Sequence, residues 1–236
     1  MEFNNTLANE YEKGIRRTLP SYDAMLRLIQ TFYHSRLSEN ANMLVVGAGS
    51  GNEIIQLAEG RPHWSFTGID PSESMLTIAK ERLLTLPNDM SFHQATILDA
   101  SLPSTQYDAA SCVLVLHFIH DYKEKLETIT EIARHLKPGA PFVLVSKYGQ
   151  LGSLETELQF DLWRSYWLQH TRLSLSDVAE MEKSIRSLSF MSEEEILILL
   201  QSAGFTKPLD FLPLLCSVVG YALKRSANYF VVNNLR

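Results

Sequence analysis

The sequence predicts an α/β fold: a doubly wound, mostly parallel sheet of seven strands with a helical cap. From Met43 onward, short apolar runs alternate with amphipathic segments, which is typical of parallel strands whose connecting helices cover both sheet faces. The alternation stops after Tyr148, and residues 153–188 have helical periodicity without an intervening strand. Two extended runs, 205–213 and 215–224, then predict a closing antiparallel hairpin.

The alternating part of the chain predicts five strands and three helices. The apolar runs that predict strands cover residues 43–47, 64–70, 90–95, 107–116 and 141–147. Amphipathic segments at 52–60, 72–85 and 121–136 predict the helices between them.

Capping residues mark several helix starts. A Ser, Thr or Asp followed three residues later by an acid can exchange hydrogen bonds with the first helical turn. This spacing occurs in Asp121–Glu124, Ser174–Asp177 and Ser192–Glu195, and the last two pairs predict helices that begin near residues 175 and 193.

A further helix is predicted ahead of the first strand. Ser21 is its candidate N-cap, and Met25, Leu28, Ile29 and Phe32 recur at helical spacing on one face.

Composition and charge favour a cytoplasmic protein. The 236 residues are 45% hydrophobic and 20% charged, and the net charge of −6 predicts no basic surface for nucleic acid. The longest apolar stretch near the end, 212–223, contains Pro213 and Gly220 and is too short to span a bilayer. Cys112 and Cys216 lie in apolar runs, which favours buried free thiols in a reducing compartment.

A glycine turn directly follows the first predicted strand. Gly47, Gly49 and Gly51 give the spacing G-x-G-x-G before a predicted helix, and glycine allows both unusual backbone angles and close approach of a ligand. A dinucleotide-binding turn has the spacing G-x-G-x-x-G, but its third glycine position is occupied by Asn52. The turn therefore lacks the usual pyrophosphate site.

An acid ends the second predicted strand. Asp70 lies about 20 residues after the turn, where a carboxylate can accept hydrogen bonds from both hydroxyls of a ribose. A ribose site without a phosphate site favours S-adenosylmethionine as the ligand.

Four motifs extend this interpretation over residues 40–148. In chain order they are VVGAGSG, GIDPSESMLTIAKER, YDAASCVLVLHFI and IARHLKPGAPFVLV. Together they resemble the class I S-adenosylmethionine-dependent methyltransferases. The resemblance implies a Rossmann-like methyltransferase fold, S-adenosylmethionine as cofactor and methyl transfer to a small-molecule acceptor, and the predicted hairpin fits the sixth and seventh strands of that family.

The resemblance also implies cofactor-binding residues. They are Gly47, Ala48 and Gly49 against the methionine and ribose parts, Gly51 in the same turn, Asp70 at the ribose, Pro71, Thr96 and Ile97 beside the adenine, and Val113 and Leu114 near the sulfonium. Two positions depart from the family pattern. Val45 stands where the family usually has an acid, and Thr96 stands where an acid often contacts the adenine amine.

The segments outside the core resemble one branch of that family. IRRTLPSYDAML and, more weakly, LSLSDVAEMEKSIRSLSFMS are similar to segments of the carboxy-S-adenosylmethionine synthases. The resemblance implies that Tyr22 contacts the cofactor, and it places Met181 and Glu182 where that branch has an arginine for the extra carboxylate. Because Glu182 would repel a carboxylate, we expect a relative that kept the scaffold without the carboxylate chemistry.

Two residues are candidates for catalysis. His117 lies where the fourth strand meets its loop, and a histidine with a pKa near 6.5 can act as a general base; the alternative is a structural histidine. Tyr22 is a candidate for a cofactor or lid role, against simple packing of the first helix. The aromatic stripe of Phe160, Trp163 and Trp167 predicts packing of the cap, with a lid over the substrate as the alternative.

The sequence thus predicts four segments. They are an N-terminal helical lid (1–40), an S-adenosylmethionine-binding core (41–150), a helical cap insertion (151–191), and the last core helix, closing hairpin and tail (192–236). No metal-ligand constellation is visible. We expect no nucleic-acid or membrane partner, and a homodimer is an open expectation. Two other functions stay open: a carboxy-S-adenosylmethionine synthase of tRNA modification, and a non-catalytic S-adenosylmethionine-binding protein.

Overall fold

The computed structural model describes residues 14–104, 106–206, 209–214 and 217–224. Its elements in chain order are α1 (Tyr22–Arg36), β1 (Asn42–Val46), α2 (Asn52–Ala58), β2 (Ser65–Asp70), α3 (Glu73–Leu83), β3 (Asp89–Gln94), β4 (Ala109–Val113), a short 3-10 helix (Leu116–Phe118), α4 (Tyr122–His135), β5 (Pro141–Lys147), α5 (Leu154–His170), α6 (Leu175–Arg186), α7 (Glu193–Ser202), β6 (Leu209–Leu214) and β7 (Ser217–Leu223).

The strands form one sheet with the order β3-β2-β1-β4-β5-β7-β6. Strands β1 to β5 pair in parallel, and β7 runs antiparallel to both β5 and β6. The predicted doubly wound, mostly parallel fold is confirmed, with its closing hairpin. The strand order reverses between β1 and β4, and ligands of such sheets bind outside the carboxyl ends of the strands at this point.

Strand β1 shows why its sequence is a continuous apolar run. Met43 and Val45 point into the core cluster on one sheet face, whereas Leu44 and Val46 point into the cluster on the other. Successive side chains alternate between the faces of a strand, and both faces are covered by helices. No polar position remains between Met43 and Val46, so hydrophobicity holds β1 at the centre of the sheet.

Helix α1 is part of the core. Its buried residues are Tyr22, Met25, Leu26, Ile29 and Tyr33. The Tyr33 hydroxyl donates to the carbonyl oxygen of Ala110 in β4 (2.5 Å) and accepts from the amide of Val143 in β5 (3.1 Å). Helix α1 is therefore fastened directly to the middle of the sheet.

Two details of α1 differ from the sequence interpretation. Leu28 is exposed, because the buried face is rotated toward Leu26 and Tyr33. Ser21 occupies the N-cap position, but its side chain makes no capping hydrogen bond.

The other predicted helix starts are confirmed. Ser174 and Asp177 form a reciprocal capping box before α6, and Ser192 and Glu195 form one before α7. The Asp121 side chain accepts from the amide of Glu124 at the start of α4. These starts are fixed by hydrogen bonds within four residues, so the local sequence was sufficient to find them.

Strand β4 is shorter than predicted. It ends at Val113, because Leu114 adopts φ = +60° and residues 116–118 form the 3-10 helix. Cys112 in β4 is a buried free thiol, whereas Cys216 lies outside the described residues. Within the described residues, every helix is too short or too polar to cross a bilayer.

Candidate active site

The glycine turn lies at the carboxyl end of β1, where the strand order reverses. Gly47, Gly49 and Gly51 have φ values of +78°, +50° and +83°, which residues with a Cβ rarely adopt. A Cβ on Gly47 would lie 2.0 Å from Cγ2 of Val115, whereas one on Gly49 would meet only a backbone oxygen at 3.9 Å. Gly47 is therefore needed for packing, and Gly49 leaves open space above the turn.

The Asp70 carboxylate is held beside this turn. Oδ2 accepts from the amide of Gly49 and Oδ1 accepts from the amide of Ser72, both at 2.9 Å. Burial raises the pKa of Asp70, and these two hydrogen bonds partly oppose that rise. An ionised carboxylate has about four acceptor sites, so two bonds leave capacity for the two hydroxyls of a ribose.

A cavity that is partly open to solvent lies next to the turn. It is formed by the turn, the first residues of α2, one side chain of α1 and the end of β4. Its lining residues are Tyr22, Gly47, Ala48, Gly49, Ser50, Asn52, Glu53, Val113 and Leu114. Six predicted site residues, Tyr22, Gly47, Ala48, Gly49, Val113 and Leu114, are thus brought together around one space.

Hydrogen bonds fix one wall of the cavity. Asn52 donates through Nδ2 to the Tyr22 hydroxyl (3.3 Å) and accepts through Oδ1 from Nη1 of Arg82 (2.9 Å). Nη1 of Arg82 also donates to the carbonyl oxygen of Ser50 (2.8 Å). Burial raises the pKa of Tyr22 to about 12, so its hydroxyl is neutral near pH 7. Tyr22 is a neutral wall residue whose orientation is set by Asn52.

A second wall comes from the irregular end of β4. Leu114 has a left-handed conformation, φ = +60°, that is uncommon for a residue with a branched side chain. Its amide donates to the carbonyl oxygen of Val145 (2.8 Å), which holds this conformation in place. The result is an apolar boundary of Val113 and Leu114 opposite the glycine turn.

Glu53 is a buried acid in the cavity lining. Its side chain belongs to the first turn of α2 and is 6% exposed. Burial raises its pKa to about 7, and the Ser111 hydroxyl opposes this only in part. Among the described residues, Glu53 Oε1 has no hydrogen-bond partner. The site therefore contains an acid that the sequence interpretation did not identify.

The residues predicted beside the adenine do not line this cavity. Pro71 and Thr96 are exposed, and the Thr96 hydroxyl donates to Oδ2 of Asp99 (2.7 Å). Ile97 is buried in the core cluster of the second sheet face. A Cβ on Gly51 would lie 3.0 Å from Leu83, so this glycine serves packing of α3. Their cofactor roles stay predictions.

His117 is buried away from the cavity lining. Its Nδ1 accepts from the backbone amide of Lys147 (3.3 Å), and its carbonyl oxygen accepts from the amide of Ser189 (2.9 Å). Burial is the main cause that lowers the pKa of His117 to about 3, and the charges of Lys147 and Lys125 add to it. A group with this pKa is a poor proton acceptor near pH 7, so the geometry supports the structural alternative over a general base.

The aromatic stripe of α5 packs within the cap. Phe160, Trp163 and Trp167 are all buried in a cluster with Val178 of α6. Lys147 Nζ lies 3.5 Å from the centre of the Trp163 ring, and Trp167 Nε1 donates to the carbonyl oxygen of Thr18 (2.9 Å). The stripe thus joins the cap to the end of β5 and to the segment before α1.

Glu182 is neutralised within the cap. Arg164 Nη1 donates to both of its oxygens (2.6 Å), and Arg186 Nε donates to Oε1 (2.8 Å). Arg186 also forms a two-point pair with Glu157. The expectation that a free Glu182 charge would repel a bound carboxylate is therefore wrong, because two guanidinium groups already compensate this charge.

Comparisons with known proteins agree with this geometry. A family model described as "Methyltransferase domain" matches residues 44–142. The carboxy-S-adenosyl-L-methionine synthase of Campylobacter fetus subsp. fetus (strain 82-40) is 25% identical over 206 residues, which cover 86% of each chain.

Two solved structures have a similar fold. One is the S-adenosylmethionine-dependent methyltransferase SibL in its apo form, with a TM-score of 0.63 and 16% identity. The match covers 87% of this chain but only 56% of SibL. The other is the 1,6-didemethyltoxoflavin-N1-methyltransferase of Burkholderia thailandensis, with a TM-score of 0.62, 19% identity and coverage of 86% and 79%.

The fold and the domain match define the class of protein. Residues 44–142 match a methyltransferase domain, as the sequence motifs predicted, and the sheet has the fold of the S-adenosylmethionine-dependent methyltransferases to which it is similar. Within that class, the carboxy-S-adenosylmethionine synthases are relatives over most of its length, also as predicted.

Proposed function

We propose that this protein transfers a methyl group from S-adenosylmethionine to a small-molecule acceptor bound beneath the helical cap. One observation carries the proposal. Three positive-φ glycines and the Asp70 carboxylate, joined through the amide of Gly49, stand beside an open cavity at the point where the strand order reverses. This is where open α/β sheets bind nucleotide-like ligands.

The residues fit the parts of the cofactor. The bare backbone at Gly49 accommodates a close ligand, and Asp70 has free acceptor capacity for ribose hydroxyls. Val113 and Leu114 form an apolar wall on one side of the cavity, which favours a reacting centre with little water on that side. When bound, S-adenosylmethionine supplies a methyl carbon activated by its sulfonium. The protein then mainly needs to align the acceptor. The proposed methyl transfer therefore requires neither a catalytic triad nor His117 as a base.

Calorimetry with S-adenosylmethionine and S-adenosylhomocysteine tests the proposal. Both should bind one site per chain, because their adenosyl and amino-acid parts are shared. Binding of neither compound contradicts the proposal. Binding without methyl transfer to any acceptor in a panel of phenols, amines, thiols and stabilised carbanions supports the non-catalytic alternative instead.

A second candidate follows from the curated relatives. Because a carboxy-S-adenosyl-L-methionine synthase matches 86% of both chains, synthesis of a carboxylated cofactor is the alternative activity. Against it, Met181 packs in the apolar cap cluster where that branch has an arginine, and Arg164 and Arg186 are occupied by Glu182 and Glu157. The mass of the ligand that copurifies decides: a carboxylated cofactor favours the synthase.

The state of assembly and the cellular location also remain proposals. An exposed apolar stripe on α5, formed by Leu154, Leu158 and Leu162, supports the predicted homodimer through the cap helices. The net charge of −6 supports a small-molecule acceptor over RNA, because nucleic-acid affinity comes largely from basic contacts to phosphates. A cytoplasmic location stays a prediction.

A further inference from the structure

Glu53 occupies an unusual position for a carboxylate. It lies in the first turn of α2, where an acid ordinarily faces solvent and favours the helix dipole. Here the side chain is 6% exposed and lines the cavity. Among the residues that line the cavity, Glu53 is the one carboxylic acid. Its Oε1 atom has no hydrogen-bond partner in the described part of the chain.

The groups that the structure describes around Glu53 supply no positive charge. The titratable groups that feel its charge are Tyr22 and Tyr33 of α1 and Cys112 of β4. Burial raises the pKa of all three, and the Glu53 charge raises them further, so all three are neutral near pH 7. The remaining close polar group is the Ser111 hydroxyl. Among the described residues, no Lys, Arg or His forms an ion pair with Glu53.

A buried carboxylate without a partner is costly, because neither water nor a counter-ion compensates its charge. Burial accordingly raises the pKa of Glu53 to about 7. Strand β1 offers no acid at the turn, since Val45 is fully buried in the apolar core. Glu53 thus presents the negative charge of this cavity from α2.

We propose that the Glu53 carboxylate binds the ammonium group of the methionine part of the cofactor. This inference rests on the proposed function, because it requires S-adenosylmethionine in the cavity. An ammonium group has N–H donors from which the Glu53 carboxylate can accept hydrogen bonds, whereas the sulfonium is a cation without N–H donors. The lining residues Gly47 and Ala48 are those assigned to the methionine part of the cofactor, and Glu53 shares their cavity.

The assignment predicts a proton linked to ligand binding. Near pH 7 the free protein holds Glu53 partly protonated, and a bound ammonium group favours the ionised form. Binding therefore releases a proton from Glu53 to solvent. If only the ionised form of Glu53 binds the ligand, ligand affinity should fall about tenfold when the pH is lowered from 8 to 6.

Calorimetry of Glu53→Gln and the wild-type protein tests the inference. S-adenosylhomocysteine is titrated at pH 6 and pH 8, in buffers that differ in ionisation enthalpy. At pH 8 the variant should bind about 10- to 100-fold more weakly, with less pH dependence and no proton release from this site. The ligand's own titration is common to both proteins, so their difference isolates Glu53. Glu73→Gln, at the exposed first turn of α3, is the control and should match the wild-type protein.

A ligand without the amino group identifies the bonded atom. The analogue of S-adenosylhomocysteine that lacks its amino group should bind the wild-type protein without the Glu53-linked proton release, and should bind Glu53→Gln no more weakly. Because this measurement on the analogue needs only the wild-type protein, it tests the inference even if Glu53→Gln fails to fold.

The outcomes separate the two proposals. If the wild-type protein binds neither S-adenosylmethionine nor S-adenosylhomocysteine, the proposed function fails. If it binds them and Glu53→Gln is unchanged in affinity and proton release, the assignment of Glu53 is overturned while the proposed function stands. A loss confined to S-adenosylmethionine overturns the ammonium assignment in favour of the sulfonium.

Discussion

The amide of Gly49 donates a 2.9 Å hydrogen bond to the Asp70 carboxylate, which joins the glycine turn to the end of β2. The second carboxylate oxygen accepts from the amide of Ser72. Asparagine cannot reproduce this arrangement, because its NH₂ group would face one of these two N–H donors. Position 70 thus requires a carboxylate and not merely a polar side chain of the same size.

We therefore predict that Asp70→Asn impairs cofactor binding as severely as Asp70→Ala. Each lost charge-assisted hydrogen bond costs about 1.5–3 kcal/mol, so affinity for S-adenosylhomocysteine should fall at least about tenfold in calorimetry. Asp89→Ala is the control. Asp89 is exposed at the start of β3, whereas Asp70 ends the neighbouring parallel strand β2, so the two residues lie at opposite edges of the sheet. Wild-type affinity in Asp70→Asn would contradict the role of the second oxygen.

The glycines of the turn should separate folding from binding. Gly47→Ala places a Cβ 2.0 Å from Val115 at a strained φ, and should lower the free energy of unfolding by about 2–4 kcal/mol. Gly49→Ala places its Cβ 3.9 Å from a backbone oxygen, an ordinary contact, and should cost only about 1–2 kcal/mol while it obstructs the ligand. Thermal unfolding and calorimetry measure the two effects. Val115→Ala should partly restore Gly47→Ala, and the absence of such rescue would contradict the clash.

Glu53 should make the free protein less stable as pH rises. Its pKa is raised to about 7 in the folded protein, from an ordinary value of 4.5. Stability therefore falls between pH 4.5 and pH 7, and the loss is complete above pH 7. Glu53→Gln should remove a penalty on the order of 3 kcal/mol at pH 8 and change little at pH 4.5.

His117 changes the stability of the protein with pH in the opposite direction to Glu53 over part of this pH range. Its pKa is lowered to about 3, so the stability it contributes is lost as pH falls from 6.5 toward 3. Denaturant unfolding of the wild-type protein and of Glu53→Gln from pH 5 to pH 8 gives the effect of Glu53 as the difference between their free energies of unfolding. The contribution of His117 cancels, because it is common to both proteins. A difference that does not grow with pH would show that Glu53 is ionised without penalty.

Two tyrosines of α1 should have separable roles. Tyr22→Phe removes the hydroxyl that Asn52 binds in the cavity wall, and should reduce methyl transfer or cofactor affinity with a stability loss of about 1 kcal/mol or less. Tyr33→Phe removes the bonds to Ala110 and Val143 and should cost about 1–3 kcal/mol without altering affinity. The same effect of both variants on affinity would contradict this division.

The apolar stripe on α5 should control assembly if the protein is a homodimer. Leu158 and Leu162 are 57% and 52% exposed, one turn apart. Leu158→Glu with Leu162→Glu should convert the dimer to a monomer in light scattering, because burial of either charge would be costly. Leu84→Glu, at an isolated position that is 82% exposed, should leave the dimer intact. A monomeric wild-type protein would contradict the prediction.

The parts of the fold that the sequence predicted are those that local patterns determine. Strand β1 is apolar at every inward position, and the Ser174 and Ser192 caps bond within four residues. The glycine turn was found because its unusual φ angles require glycine. In each case the decisive interaction lies within a few residues of the signal.

The sequence interpretation missed what depends on the packing of distant segments. Glu53 lies at a helix start, where an acid ordinarily faces solvent, and its burial follows from α1 and β4, which pack over it. One signal was present: Leu57 lies four residues later on the same face and is buried. Likewise, the buried face of α1 is set by Tyr33, whose bonds to β4 and β5 no helical periodicity reveals.

The Tyr33 hydroxyl also limits how a bound ligand can leave. Swinging α1 outward would require this group to withdraw from between two adjoining strands, so the helix is a stationary side of the entrance. The segment before α1 is held as well, because Leu19 is buried in the core cluster and the carbonyl oxygen of Thr18 accepts from Trp167 Nε1. A ligand that enters or leaves is therefore expected to pass along α1 without displacing this helix.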